Sequence, residues 1–268
     1  MRVIVITGST RGIGYGLADS FLNEDCSVMI SGRTSLAVET AVDNLSTNHK
    51  KELVAGHCCD VRDYEAVKEL WKVTVDRFGK VDIWINNAGI NHSLVKPWQV
   101  PASDIESIID TNLLGVMYGS NAAAEGMLEQ GYGAIYNMEG MGSDGRKIEG
   151  MSIYGSTKSG VHYFTDALVL ETRDSAIIVG SISPGMVMTD MLYREGSEEN
   201  PEEEQRTKRV FNILADRVET VAPWLVNKIL SNEKTGVRIS WLTTWKVLAR
   251  FLAAPFRHRD VYSESEST

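Results

Sequence analysis

Apolar, β-branched runs return along this chain at intervals filled by helical periods, and that alternation constrains the fold more than any other feature. The runs are VIVIT (3–7), SVMISG (27–32), LVAGHCCDV (53–61), VDIWINNAG (81–89), GAIYNMEG (133–140), AIIVGSISPG (176–185) and a last one at GVRISWLT (236–243). Between the first two, GYGLADSFLNE places Leu17, Phe21 and Leu22 on one helical face. Further helices are predicted over 35–46, 64–78, 103–129 and 152–173. Strands that are apolar throughout are buried on both faces, and strand–helix alternation builds a parallel sheet covered by helices. The expectation is an α/β, doubly wound, Rossmann-type parallel sheet in a single domain over 1–268. Residues 194–235, opening with the polar stretch REGSEENPEEEQRTKR (194–209), read as a substrate-covering insertion, and 241–268 as a C-terminal helix and tail.

Composition narrows the classes. The net charge of −9 repels phosphate backbones, so nucleic acid is excluded as a partner. Three cysteines, Cys26, Cys58 and Cys59, make a poor disulfide framework, and HCC at 57–59 reads as buried thiols on a strand. The five histidines show no metal-ligand spacing, so no metal site is expected. No stretch approaches the roughly 20 apolar residues that span a bilayer. The chain reads as soluble and cytoplasmic, or plastid-located if a transit peptide precedes it.

Directly after the first run comes TGSTRGIG, with Gly8, Gly12 and Gly14. Glycines there let the backbone turn sharply and approach a pyrophosphate at the start of the next helix. The second run ends in SGRTS, where a cofactor lacking a 2′-phosphate would find an acidic residue. Arg33 stands there instead, and Arg11 lies inside the glycine turn. Two guanidinium groups near the ribose suit a 2′-phosphate, hence NADPH/NADP+. Asp60 follows the third run and is placed to meet the adenine or to cap the next helix. NNAG (86–89) forms a tight turn beside the cofactor.

Tyr154 and Lys158 stand four apart on a predicted helix and share a face. A phenol ordinarily loses its proton near pH 10, and a neighbouring ammonium lowers that value. With TGSTRGIG, Asp60, NNAG, Asn112 in DTNLLG, YGSTK and SPGMVMTDM over residues 7–191, the chain resembles a classical short-chain dehydrogenase/reductase. The resemblance implies that Tyr154 donates a proton to the substrate oxygen, that Lys158 tunes it and holds the ribose, and that Asn112 holds a relay water. It places the cofactor along Gly8, Ser9, Thr10, Arg11, Gly12, Ile13 and Gly14. Arg33, Asp60, Val61, Asn87, Ala88 and Gly89 follow, with Tyr154, Lys158, Pro184, Gly185, Val187 and Thr189 at the nicotinamide end. One part departs from the pattern. Where the family carries a serine thirteen residues before the tyrosine, position 141 is Met. Ser143 is the nearest hydroxyl, able to reach the substrate oxygen if the loop bulges at Gly140 or Gly142; Glu139 would repel a developing oxyanion.

NMEGMGS, YGSTK, SPGMVMTDML, FNILADRVETVAPWLV (211–226) and WLT (241–243) are similar to the chlorophyll b reductase branch of that family. That branch reduces the 7-formyl group of chlorophyll b to hydroxymethyl with NADPH. The implied partner is a small molecule, a chlorophyll-type tetrapyrrole; another ketone or aldehyde, or a non-catalytic NADPH sensor, are the alternatives. Met138, Met141, Met151, Met186, Met188 and Met191 flank the expected site and suit a flat apolar ligand or a gap in the core. The stretch WLTTWKVLARFLAAPFRHR is expected to dock on the core, to wall the substrate site, or to contact a membrane surface, in that order. The family implies a homodimer or homotetramer built on the helices near 103–129 and 152–173.

Overall fold

A computed structural model of the chain describes residues 1–92, 94–189, 201–256 and 259–261. The expectations for Asp190, Met191 and residues 194–200 and 262–268 lie outside the described residues. Seven parallel strands form one sheet in the order β3-β2-β1-β4-β5-β6-β9. They are β1 (Val3–Ile6), β2 (Ser27–Gly32), β3 (Val54–Cys58), β4 (Ile83–Asn86), β5 (Gly133–Met138), β6 (Ile177–Ser183) and β9 (Val237–Ser240). Two short strands, β7 (Val187–Met188) and β8 (Asp216–Arg217), pair separately beyond the sheet.

The strand order reverses between β1 and β4, and the loops that follow these two strands open a crevice there. On one face α1 (Gly12–Asn23) and α2 (Ser35–Asn48) pack with a later helix, α8 (Val218–Leu230). Leu17 and Phe21 meet a core that includes Val221, Ala222 and Leu225. Each of the larger side chains, Leu17, Phe21, Val221 and Leu225, contributes about 1.5–3 kcal/mol by leaving water. The expected insertion over 194–235 therefore divides, since its second half is part of the central core. α7 (Pro201–Leu214) lies apart from it, with Phe211 and Ala215 in a small cluster beside Val261. The opposite face carries α3 (Tyr64–Phe78), α5 (Gly115–Gln130) and α6 (Ser152–Glu171).

The long helix predicted over 103–129 is broken. α4 (Ala102–Ile109) passes through one π-helical turn, Asp110–Leu114, into α5. Periodicity continues across the break, so the pattern does not reveal it, and such turns gather at functional sites. Cys58 also corrects the sequence reading. It is exposed because β3 is the sheet edge, whereas Cys26 and Cys59 are buried.

The C-terminal helix α9 (Thr244–Ala253) differs most from expectation. Trp245 is 80% exposed, Leu252 67% and the following Phe256 88%, so the helix does not dock by its apolar side chains. Its cations face inward instead. The Lys246 ammonium lies 3.0 Å from the Trp241 ring centre, and Arg250 donates to Asp216 at 2.7 Å. Arg259 reaches the same buried carboxylate at 2.8 Å, and the Trp241 indole donates to it at 2.6 Å.

Candidate active site

The glycine turn joins β1 to α1 and is laced to its neighbours by buried polar side chains. Ser9 Oγ donates to the Ile6 carbonyl and accepts from the Ser31 amide at 3.0 Å, binding the turn to the end of β2. Thr7 Oγ1 accepts from the amides of Asn87 and Ala88 at 3.0 and 3.1 Å, and Asn87 Nδ2 donates to the carbonyls of Thr7 and Gly8. The turns after β1 and β4 are thus one unit. Gly8 has φ +61°, and a Cβ there would lie 2.7 Å from Ala88 Cα, so glycine is required twice over. Ile13 packs on the core and Thr10 packs against Gly32.

α1 opens at Gly12 with no side-chain cap on its first amides and no acidic residue in its first turn. Those amides suit a pyrophosphate. Asn87 Oδ1 is buried with no hydrogen-bond partner among the described residues, an acceptor left beside the same turn. Thr189 approaches Gly12 from across the crevice. Pro184 and Gly185 precede it, and Val187 is buried on β7. These features fit a dinucleotide.

Arg11 in the glycine turn and Arg33 after β2 are both exposed. Asp60 does not cap the next helix; Asp63 does, accepting from the amides of Glu65 and Ala66. Asp60 is held by Arg62, which donates Nε at 3.0 Å and Nη2 at 2.6 Å. That bond first, then the charges of Arg62 and Arg33, keep its carboxyl below the ordinary range. Arg62 is thus the partner of Asp60, a pairing that the sequence reading did not single out. Val61 packs against Gly115.

α6 carries Tyr154 and Lys158 with both side chains buried, and the Lys158 ammonium lies 5.7 Å from the Tyr154 ring centre. Lys158 Nζ donates to the Met138 carbonyl at 3.0 Å. Burial pushes this ammonium down to about 8, against the opposing pull of Glu139. A Cβ at Gly140 would collide with the Tyr154 hydroxyl, so the end of β5 lies directly over the phenol. Asn112, in the π turn, is fully buried. Its Oδ1 accepts from the Ile90 amide at 2.8 Å, and its Nδ2 donates to the Ile90 carbonyl at 2.8 Å and to Thr157 at 3.3 Å. Gly89 lies close to both Asn112 Oδ1 and Lys158 Nζ. The fold therefore gathers the phosphate turn, the NNAG turn, Asn112, Tyr154 and Lys158 around one crevice.

The Ser143 hydroxyl is engaged by its neighbours. Its hydroxyl donates to the Gly140 carbonyl at 2.8 Å, with Glu139 Oε2 at 3.1 Å, and accepts from Arg238 at 3.2 Å. A bond to the substrate oxygen requires turning it away from these partners. Met138 and Met151 are buried, while Met186 and Met188 pack on the Phe211–Val261 cluster. Among the described residues, no three His, Cys, Asp or Glu side chains are grouped for a metal, and no helix is long and apolar enough to cross a membrane.

The family model for short chain dehydrogenases matches residues 2–200. A chlorophyll(ide) b reductase of rice, chloroplastic by its name, is 39% identical over 232 residues, covering 84% of this chain and 66% of that protein. A probable chlorophyll(ide) b reductase of the same organism is 35% identical over 279 residues, covering 98% of this chain and 54% of that protein. This chain thus spans between half and two-thirds of the length of these two relatives. Among solved structures, an actinorhodin polyketide ketoreductase with NADPH superposes with a TM-score of 0.78 at 28% identity, covering 90% of this chain and 95% of that one. The match from residue 2 to residue 200, with relatives sharing over a third of their residues across most of its length, makes this chain a member of the short-chain dehydrogenase family of oxidoreductases.

Proposed function

We propose that the chain is an NADPH-dependent carbonyl reductase acting on the 7-formyl group of chlorophyll(ide) b. The observation that carries the chemistry is the buried Tyr154–Lys158 pair opening on the glycine-turn crevice. The relatives' names carry the substrate. Gly8 to Gly14, Asn87 to Gly89 and Thr189 hold the dinucleotide, and Arg11 and Arg33 select its 2′-phosphate. The bound cofactor supplies a hydride. Tyr154 holds the proton for the substrate oxygen, and Lys158 keeps positive charge beside that phenol and so lowers the barrier to giving the proton up. Asn112 fixes the Ile90 backbone at the edge of the crevice. Ser143 acts through the turn at Glu139–Gly140 that it closes.

Two surfaces extend this reading. The exposed face of α9, with Trp245, Leu248, Phe251 and Leu252, lies against lipid and brings the enzyme to a membrane-bound pigment; a plastid location accompanies that substrate. Exposed Ile109, Leu128, Tyr163 and Leu170 on α4, α5 and α6 meet a second copy in a homodimer or homotetramer.

An absorption time course with NADPH and chlorophyllide b tests the substrate. Conversion to the 7-hydroxymethyl spectrum is expected, slowed about a thousandfold in Tyr154→Phe with NADPH affinity unchanged. No conversion by wild-type protein that binds NADPH would remove the formyl substrate. Arg33→Ala should weaken NADPH by roughly tenfold or more while sparing NADH. Equal weakening of both would end the 2′-phosphate assignment.

A further inference from the structure

The Tyr154–Lys158 pair belongs to a longer series. Tyr154, Lys158, His162 and Asp166 follow one another on α6 at intervals of four, so they form a single stripe from the crevice toward solvent. Facing the stripe at its middle is Glu139, the first residue after β5, whose carboxylate is wholly buried. Its neighbours fix its place. Met138, immediately before it, accepts the Lys158 ammonium, and Gly140, immediately after it, lies against the Tyr154 hydroxyl.

The carboxylate is gripped from three elements. His162 on α6 meets Oε1 through Nδ1 at 2.8 Å. Arg238 on the edge strand β9 donates Nε to Oε2 at 2.6 Å, and Ser143 from the following loop lies 3.1 Å from the same oxygen. Asp144 beside Arg238, and Asp166 3.7 Å from His162, are the outer charges. A polar row in register across the sheet leads to this point: Asn86, Asn137, Ser181 and Arg238 on β4, β5, β6 and β9.

We propose that Glu139 is the buried counter-charge that keeps Lys158 an ammonium ion beside Tyr154, and that His162, Arg238 and Ser143 are positioning residues that hold it there. This inference rests on the reading of Tyr154 as the proton donor. Burial favours loss of the Lys158 proton, and the charge of Glu139 opposes that loss. A carboxylate that would repel an oxyanion in the crevice does the opposite work from one layer behind it. Removing its negative charge makes both the ammonium and the phenol lose protons more readily, whichever of the two titrates first.

The test is the pH dependence of kcat with NADPH and chlorophyllide b, in wild type, Glu139→Gln and Glu139→Asp, beside NADPH affinity. Glu139→Gln should move the basic limb down by about one pH unit or more, with NADPH affinity nearly unchanged, and Glu139→Asp should restore it. A basic limb at the wild-type pH in Glu139→Gln overturns the proposal, as does an equal displacement in Glu139→Asp. The double variant Glu139→Gln/Arg238→Met removes both charges and leaves neither buried alone, so it covers the case in which Glu139→Gln does not fold. Its limb should still move down, by less, and an unmoved limb overturns the proposal too. Should wild type not turn over chlorophyllide b, titration of ring-labelled Tyr154 by NMR, assigned with Tyr154→Phe, reads the same displacement without a substrate. An unmoved phenol titration in Glu139→Gln then overturns the inference, and failure of the substrate reading stays separate.

Discussion

Glu139 and Asp216 are both buried carboxylates that hold arginines from distant parts of the chain, yet their surroundings give them different work. Glu139 lies between the ends of two strands and the stripe on α6, with Lys158 close by. Asp216 lies under α9, where Arg250, Arg259 and the Trp241 indole close on it from the C-terminal segment. On our proposal, one carboxylate sets the charge state of the Tyr154–Lys158 pair. The other fastens a helix that has no apolar anchor, and by drawing that helix's cations inward it leaves Trp245 and Leu252 outside. A buried ion pair is weak proof of net stability, but removing one partner is damaging, since the other charge is left without its match. The neighbours of each carboxylate therefore decide what its loss does.

The largest effect that separates the two is expected from Asp216→Asn. It should destabilise the protein by about 3 kcal/mol, a fall in Tm of roughly 5–10 °C, while leaving the basic limb of kcat at its wild-type pH. A limb displaced as far as that of Glu139→Gln would erase the distinction. The same variant sharpens it at the membrane. Wild-type binding to lipid vesicles should resist added salt, because α9 offers lipid its apolar face. Asp216→Asn removes the carboxylate that neutralises Arg250 and Arg259, and its binding to anionic vesicles should rise several-fold and become salt-sensitive. Salt-sensitive binding by wild type would show that the cations already face the lipid.

The smallest effect is expected from Ser143→Ala. Glu139 keeps Arg238 and His162, so turnover should fall by less than about tenfold. A loss beyond about a hundredfold would place the Ser143 hydroxyl on the substrate oxygen instead.

Much of this was legible in the chain because it rests on local rules. β-branched runs announced the sheet and glycines announced the turn after β1, while Tyr154 and Lys158 stood out through the family resemblance and not through their interval alone. The same interval extended to His162 and Asp166, a signal that was present and passed over. Glu139 was visible, but nothing along the chain places it near Lys158. Arg238, 99 residues further on, joined it only through strand register.

By itself the sequence determined the fold class and the glycine turn after β1, since each follows from periodicity or turn chemistry within a short span, and the resemblance to a family singled out Tyr154 and Lys158. The tertiary structure alone decided which charges meet. It put Glu139 between Lys158 and Arg238, drew Arg250 and Arg259 onto Asp216, and turned the apolar face of α9 outward. Electrostatic partners are chosen by distance and burial in space, and no pattern along a chain carries that distance.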